Sequence, residues 1–80
     1  MIHLSEIWSR IRQFMPRRQW VSLQEIYGIV EKRLTLDAED FDPQSPTSDV
    51  PKWQRNVRNV LQYRKSKGDI EWNGDTMYRL

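Results

Sequence analysis

Near its end the chain reads Lys67-Gly68, then Ile70-Glu71-Trp72, Asn73-Gly74 and Thr76 to Leu80. Asn-Gly between two alternating stretches is the strongest short-range hairpin signal, because both residues accept the positive φ of a tight turn. The Lys-Gly pair ahead of it marks a helix exit, with glycine supplying the left-handed residue beyond the last turn. A helix that leads directly into a hairpin constrains everything upstream. The register carries a conflict. A plain two-residue turn pairs Ile70 with Met77, yet Tyr78 and Leu80 are the residues expected inside beside Ile70 and Trp72. A bulge near Asp75 is expected to reconcile them, since one extra residue reverses the facing of the strand beyond it.

Upstream, Leu4, Ile7, Trp8, Ile11, Phe14 and Met15 recur at three- and four-residue spacing, which predicts an amphipathic helix. Pro16 ends it, lacking the N–H and clashing with the preceding turn. Trp20 and Val21 are expected to form a very short strand. Ser22-Leu23-Gln24-Glu25 then reads as a capping box, opening a second helix with Leu23, Ile26, Tyr27, Val30 and Leu34 on one stripe. Residues 35–50 hold Pro43, Pro46 and an acidic cluster, and read as a long acidic loop. A third helix is expected over residues 51–67, with Pro51 in its first turn and Asp49 or Ser48 as its cap. Helix, short strand, helix, long loop, helix and β-hairpin is an α+β order. It is that of a winged helix-turn-helix: three helices, a short strand and a C-terminal hairpin as the wing.

Eighty residues leave room for one core, so residues 1–80 are read as a single domain. Its bulk comes from four Trp, three Tyr and two Phe, with Trp8, Trp20 and Trp53 assigned to the interior. The absence of Cys excludes a disulfide framework and thiolate-bound zinc. No apolar run approaches the roughly 20 residues that span a bilayer, and no signal-peptide pattern opens the chain. A cytoplasmic protein is expected, nucleoid-associated in a bacterium, without a membrane partner.

Net charge is only +2, but its distribution is uneven. The balance is −5 over residues 34–50 and +6 over residues 51–68. At about 100° per residue, Trp53, Val57, Val60, Leu61 and the stem of Arg64 share one side of the third helix. The other side carries Lys52, Arg55, Arg58, Asn59, Gln62, Lys65 and Ser66. Arg, Asn and Gln pair bidentately with guanine or adenine edges, whereas Lys and further Arg hold phosphates. Such a face fits the major groove of double-stranded DNA, with Gln54 near the helix start as a further base contact. The bland alternative is a merely solvated polar face. The acidic loop, repelled by the same phosphates, is expected to be mobile and to restrain non-specific binding.

From Pro51 onward, PKWQRNVRNVLQYRKSKGDIEWNGDTMYRL resembles the last helix and wing of winged-helix modules in modification-dependent restriction endonucleases. Two groups share its features: the N-terminal domain of Mrr-type restriction proteins and the winged-helix domain of methyladenine-dependent endonucleases. The shared positions are Val57-Arg58 before Leu61-Gln62, Lys67-Gly68, Ile70-Glu71-Trp72, and Gly74 ahead of Tyr78-Arg79-Leu80. SLQEIYGIVEKRL resembles the second helix of the Mrr-type module. Two features depart from that pattern: the loop is longer and more acidic, and Asp75 stands at the wing tip where a phosphate contact would prefer Lys or Arg. The resemblance implies a DNA reader that targets a nuclease domain located elsewhere, and the sensing of a methylated base, N6-methyladenine above methylcytosine. Trp72, Asn73 and Gly74 are its wing residues, with Trp72 as the aromatic wall for the methyl group.

No enzyme is expected within these residues, and no cofactor. His3 lacks companion ligands. Asp37, Glu39, Asp40 and Asp42 lack the Gly and terminal Glu of a calcium loop, so no metal site is assigned. No nucleophile has a base beside it. The competing reading is a winged-helix protein–protein interaction module whose acidic loop docks a basic partner.

Overall fold

A computed structural model describes residues 3–43, 46, 47 and 49–80. It contains α1 (Leu4–Phe14), β1 (Val21–Ser22), α2 (Leu23–Arg33), a 3₁₀ turn (Ala38–Phe41), α3 (Lys52–Ser66), β2 (Glu71–Trp72) and β3 (Met77–Arg79). The fold is α+β, with three α-helices packed beside an antiparallel sheet of order β1-β3-β2. The first strand therefore pairs with the last, Val21 opposite Tyr78 and Ser22 opposite Met77. Among the described residues, no helix is long and apolar enough to cross a membrane.

The predicted stripes form one core. Ile7, Trp8, Ile11 and Met15 meet Ile26, Tyr27 and Val30 from α2, and Trp53, Val57, Val60 and Leu61 from α3. Val21, Ile70 and Tyr78 close it from the sheet. Trp53 stands edge-on to Tyr27 at 5.6 Å between centroids. Its buried indole N–H has no hydrogen-bond partner among the described residues, so packing alone holds the ring. Two expected core residues lie outside. Trp20 is 41% exposed because Val21 turns inward and successive strand residues face opposite ways. Leu4, 51% exposed, sits in the first turn of α1, at the edge of an open cleft shared with Val60 and Tyr63 of α3.

The ends of α2 and α3 show how local chemistry and tertiary contacts share the work. At the start of α2 the Ser22 Oγ accepts from the Glu25 N–H at 3.2 Å, the predicted Ser half of the capping box. At the end of α3, Gly68 takes φ 80. The Asp69 N–H then reaches the Arg64 carbonyl and the Gly68 N–H the Lys65 carbonyl, both at 3.0 Å. That pair of bonds is a Schellman exit. The start of α3 differs from expectation. Pro51 is the N-cap rather than a first-turn residue, and no side chain caps the helix, so Asp49 does not serve; Ser48 lies outside the described residues. Instead the Lys52 N–H donates to the Asp42 carbonyl at 2.8 Å, and Pro43 bridges Pro51.

That contact corrects the reading of residues 35–50. Asp37 and Asp40 form a reciprocal capping box around the 3₁₀ turn, at 3.1 and 3.0 Å, and Asp40 is buried. Residues 38–41 form a folded turn tied through Asp42 to the first residue of α3, while residues 44, 45 and 48 of the expected loop lie outside the described residues.

The hairpin also resolves differently. Glu71 pairs with Arg79 and Trp72 with Tyr78, so Trp72 and Tyr78 do share a face. The means is a wider turn across residues 73–77, closed by the Asn73 N–H on the Met77 carbonyl at 3.1 Å, rather than a bulge near Asp75. The Asn73 Oδ1 accepts from the backbone N–H groups of Asp75 and Met77, at 2.8 and 3.2 Å, and Gly74 takes φ 86. An Asn side chain that bonds the backbone ahead of it builds a longer turn than Asn-Gly alone requires.

Candidate nucleic-acid interface

The helical period places Arg55, Arg58, Asn59 and Gln62 at i, i+3, i+4 and i+7, one face of α3 turned away from Trp53, Val57 and Leu61. Arg55, Arg58 and Asn59 are exposed. Neither arginine has a carboxylate partner among the described residues, where the ion pairs are Arg64–Asp69 and Arg79–Glu71. Arg58 also lies near Tyr27. Burial pushes that hydroxyl above its ordinary pKa, while the positive charge of Arg58 works in the opposite direction.

The other predicted contacts sort differently. Lys52 and Gln54 are half-buried at the helix start, beside the acidic turn that bonds the Lys52 N–H. Gln62 is half-buried, and its Nε2 donates to the Tyr78 Oη at 2.7 Å. Gln62, one of three side chains expected to read adenine, thus also ties the hairpin to α3. Lys65 is exposed, with its Nζ 5.0 Å from the centre of the Trp72 ring. Such a contact is worth about 0.5–1 kcal/mol at an exposed site and leaves the charge available to solvent.

The residues expected to form a wing are committed to the β2–β3 hairpin itself. Trp72 stacks on Tyr78, with centroids 6.3 Å apart and rings 19° from parallel, and its Nε1 donates to the Asp75 carbonyl at 2.9 Å. Trp72 is thus half-buried, with one ring face on Tyr78 and its N–H engaged within the hairpin. Asn73 and Gly74 form the turn, so the Asn73 amide oxygen is occupied by backbone. Tyr78, expected inside, takes a further role that the sequence reading did not assign. It is buried, pairs with both β1 and β2, and braces Gln62. Nothing local marks the bond to Gln62, because the two residues lie sixteen apart on different elements.

No protein-family model, curated protein or solved structure matches the chain.

Proposed function

We propose that the chain is a winged helix-turn-helix domain that binds double-stranded DNA with α3 in the major groove and the β2–β3 hairpin as its wing. The observation that carries this reading is the exposed face of Arg55, Arg58 and Asn59, on a helix whose opposite face is core and whose far end is braced to a hairpin. An α-helix fits the major groove, and two arginines without carboxylate partners are suited to guanine O6 and N7 or to phosphate. The sheet order β1-β3-β2, with a strand before α2 paired to the hairpin, supports the winged-helix reading. The resemblance extends the proposal to a targeting module, with cleavage assigned to a nuclease domain elsewhere.

Fluorescence anisotropy of a labelled duplex across a salt series tests the proposal. Log affinity is expected to fall linearly with log salt, by about 0.9 for each phosphate neutralised. Absence of binding, or affinity indifferent to salt, overturns it. A matched N6-methyladenine duplex in the same series tests methyl sensing. Because Trp72 is packed within the wing, any preference would have to come from Asn59 and the arginines, and a buried methyl is worth only about 0.8 kcal/mol.

One observation favours the protein-docking alternative. Phe41 is 53% exposed beside Asp42 in the acidic turn, an aromatic and a carboxylate that a basic partner could engage together. Salt-insensitive capture of such a partner, lost in Phe41→Ala, would favour it.

A further inference from the structure

A second polar surface runs along α1. Ser5, Ser9, Arg12 and Gln13 fall on one side of that helix and line an open groove of about 420 Å³, which Arg17 completes. Arg12, Arg17 and Trp8 are shared with an adjoining cavity of about 270 Å³, whose remaining walls are Arg64, Asp69 and Leu80. With three lining residues in common, the two spaces are taken together as one channel. Its walls hold three guanidinium groups and one carboxylate, an excess of two positive charges.

Two of the three arginines, Arg17 and Arg64, are held in place. The Arg17 guanidinium donates to the Arg12 carbonyl at 2.9 Å, satisfying a terminal acceptor of α1. Arg64 pairs with Asp69 at 3.2 Å and lies over Trp8, 5.1 Å from the ring centre. Guanidinium groups already positioned lose less freedom on meeting an anion. The mix of hydroxyl, amide and guanidinium donors is the one that proteins use on phosphate oxygens. The length fits as well. From Ser5 to Arg12 is about 10 Å of helix at 1.5 Å per residue, long enough for several successive backbone charges.

We propose that this channel binds the phosphodiester backbone of DNA, as a surface separate from the α3 face. Arg55 and Arg64 are nine residues apart, which at 100° per residue puts them on opposite sides of α3. A duplex seated on Arg55 and Arg58 therefore does not reach the channel, and the backbone it holds belongs to a second duplex. The channel itself stands on its own geometry; only the bridging of two duplexes rests on the α3 reading.

The test compares Arg12→Gln/Arg17→Gln with Arg55→Ala/Arg58→Ala in duplex anisotropy. It adds a sandwich assay, in which protein on an immobilised duplex captures a second, labelled one. Wild type is expected to capture the labelled duplex. Arg12→Gln/Arg17→Gln is expected to lose that capture and to lower the summed salt slope by about 1.8, two contacts at about 0.9 each. Ser9→Glu, an exposed change that puts a carboxylate in the channel and leaves the Arg17 bond intact, is expected to weaken capture in the same direction. Capture and slope that persist in both channel variants overturn the proposal. So does a channel that binds poly-glutamate, with loss in Arg12→Gln/Arg17→Gln, while ignoring duplex. If only Arg55→Ala/Arg58→Ala abolishes binding, the α3 reading stands and the channel proposal falls. If only the channel variants weaken it, the reverse holds.

Discussion

The two ends of α3 carry similar charge and use it differently. In the first half, Arg55 and Arg58 are exposed and have no carboxylate partner among the described residues. In the second half and its cap, each cation lies near an aromatic ring: Arg64 by Trp8 and Tyr63, Lys65 by Trp72, Lys67 by Tyr63. The distance from cation to ring centre is 5.0–5.5 Å throughout. Five basic residues that look equivalent in sequence thus divide into an exposed pair, Arg55 and Arg58, and a group of three beside rings, of which Arg64 meets α1 and Lys65 meets the hairpin. Charge count locates a basic segment; the neighbouring rings decide which charges help hold the fold.

The sharpest way to break this comparison is to remove the available pair. Arg55→Ala with Arg58→Ala should cost about 1–3 kcal/mol of binding for each arginine that reads a base, and should relax sequence preference. As exposed surface changes, they should leave the thermal midpoint essentially unmoved. Lys65→Ala should instead weaken all duplexes alike and reduce the salt slope by about 0.9. Anisotropy with two unrelated duplexes separates these outcomes. Specificity lost in Lys65→Ala and kept in the arginine variant would reverse the assignment.

A second comparison lies within the acidic turn. Asp40→Ala removes the buried carboxylate that accepts from the Asp37 N–H and should destabilise the fold by about 1–3 kcal/mol in urea titration. Asp42→Asn with Asp49→Asn changes two exposed carboxylates, so stability should hold while affinity for arbitrary DNA rises. If the exposed pair leaves non-specific affinity unchanged, the turn is a structural clamp with no electrostatic role.

The smallest effect sharpens the role of the hairpin brace. Tyr78→Phe deletes the hydroxyl that meets Gln62 and should cost about 0.5–1.5 kcal/mol of stability. Amide exchange at residues 71–79 should quicken more than exchange at Ile7 or Ile11. Uniform exchange across the chain would show that Gln62 does not anchor the hairpin.

Much of the architecture was legible because its signals are local. Pro16 stops α1, Ser22 starts α2, Gly68 ends α3, and each acts within about four residues of itself. The apolar stripes of all three helices were readable for the same reason, since the helical period alone aligns them. The facing of Trp72 with Tyr78 followed from which residues were apolar, although the turn that achieves it did not. Of the candidate interface, Arg55, Arg58 and Asn59 were visible from helical spacing, whereas the changed role of Gln62 was not.

What the sequence determined by itself, then, was where helices begin and end, which faces are apolar, and that a basic helix precedes a hairpin. The tertiary structure decided what depends on distant partners. Asp42 replaces a side-chain cap for α3, Asp40 is buried instead of solvated, Gln62 braces Tyr78, and Trp20 turns outward when Val21 pairs with Tyr78. The physical reason is reach. Propensity and capping operate along a few adjacent residues, but a side chain's hydrogen bonds and burial are set by whichever elements the fold brings beside it. Gln62 and Tyr78, sixteen residues apart in the chain and 2.7 Å apart in space, meet only once the hairpin has packed against α3.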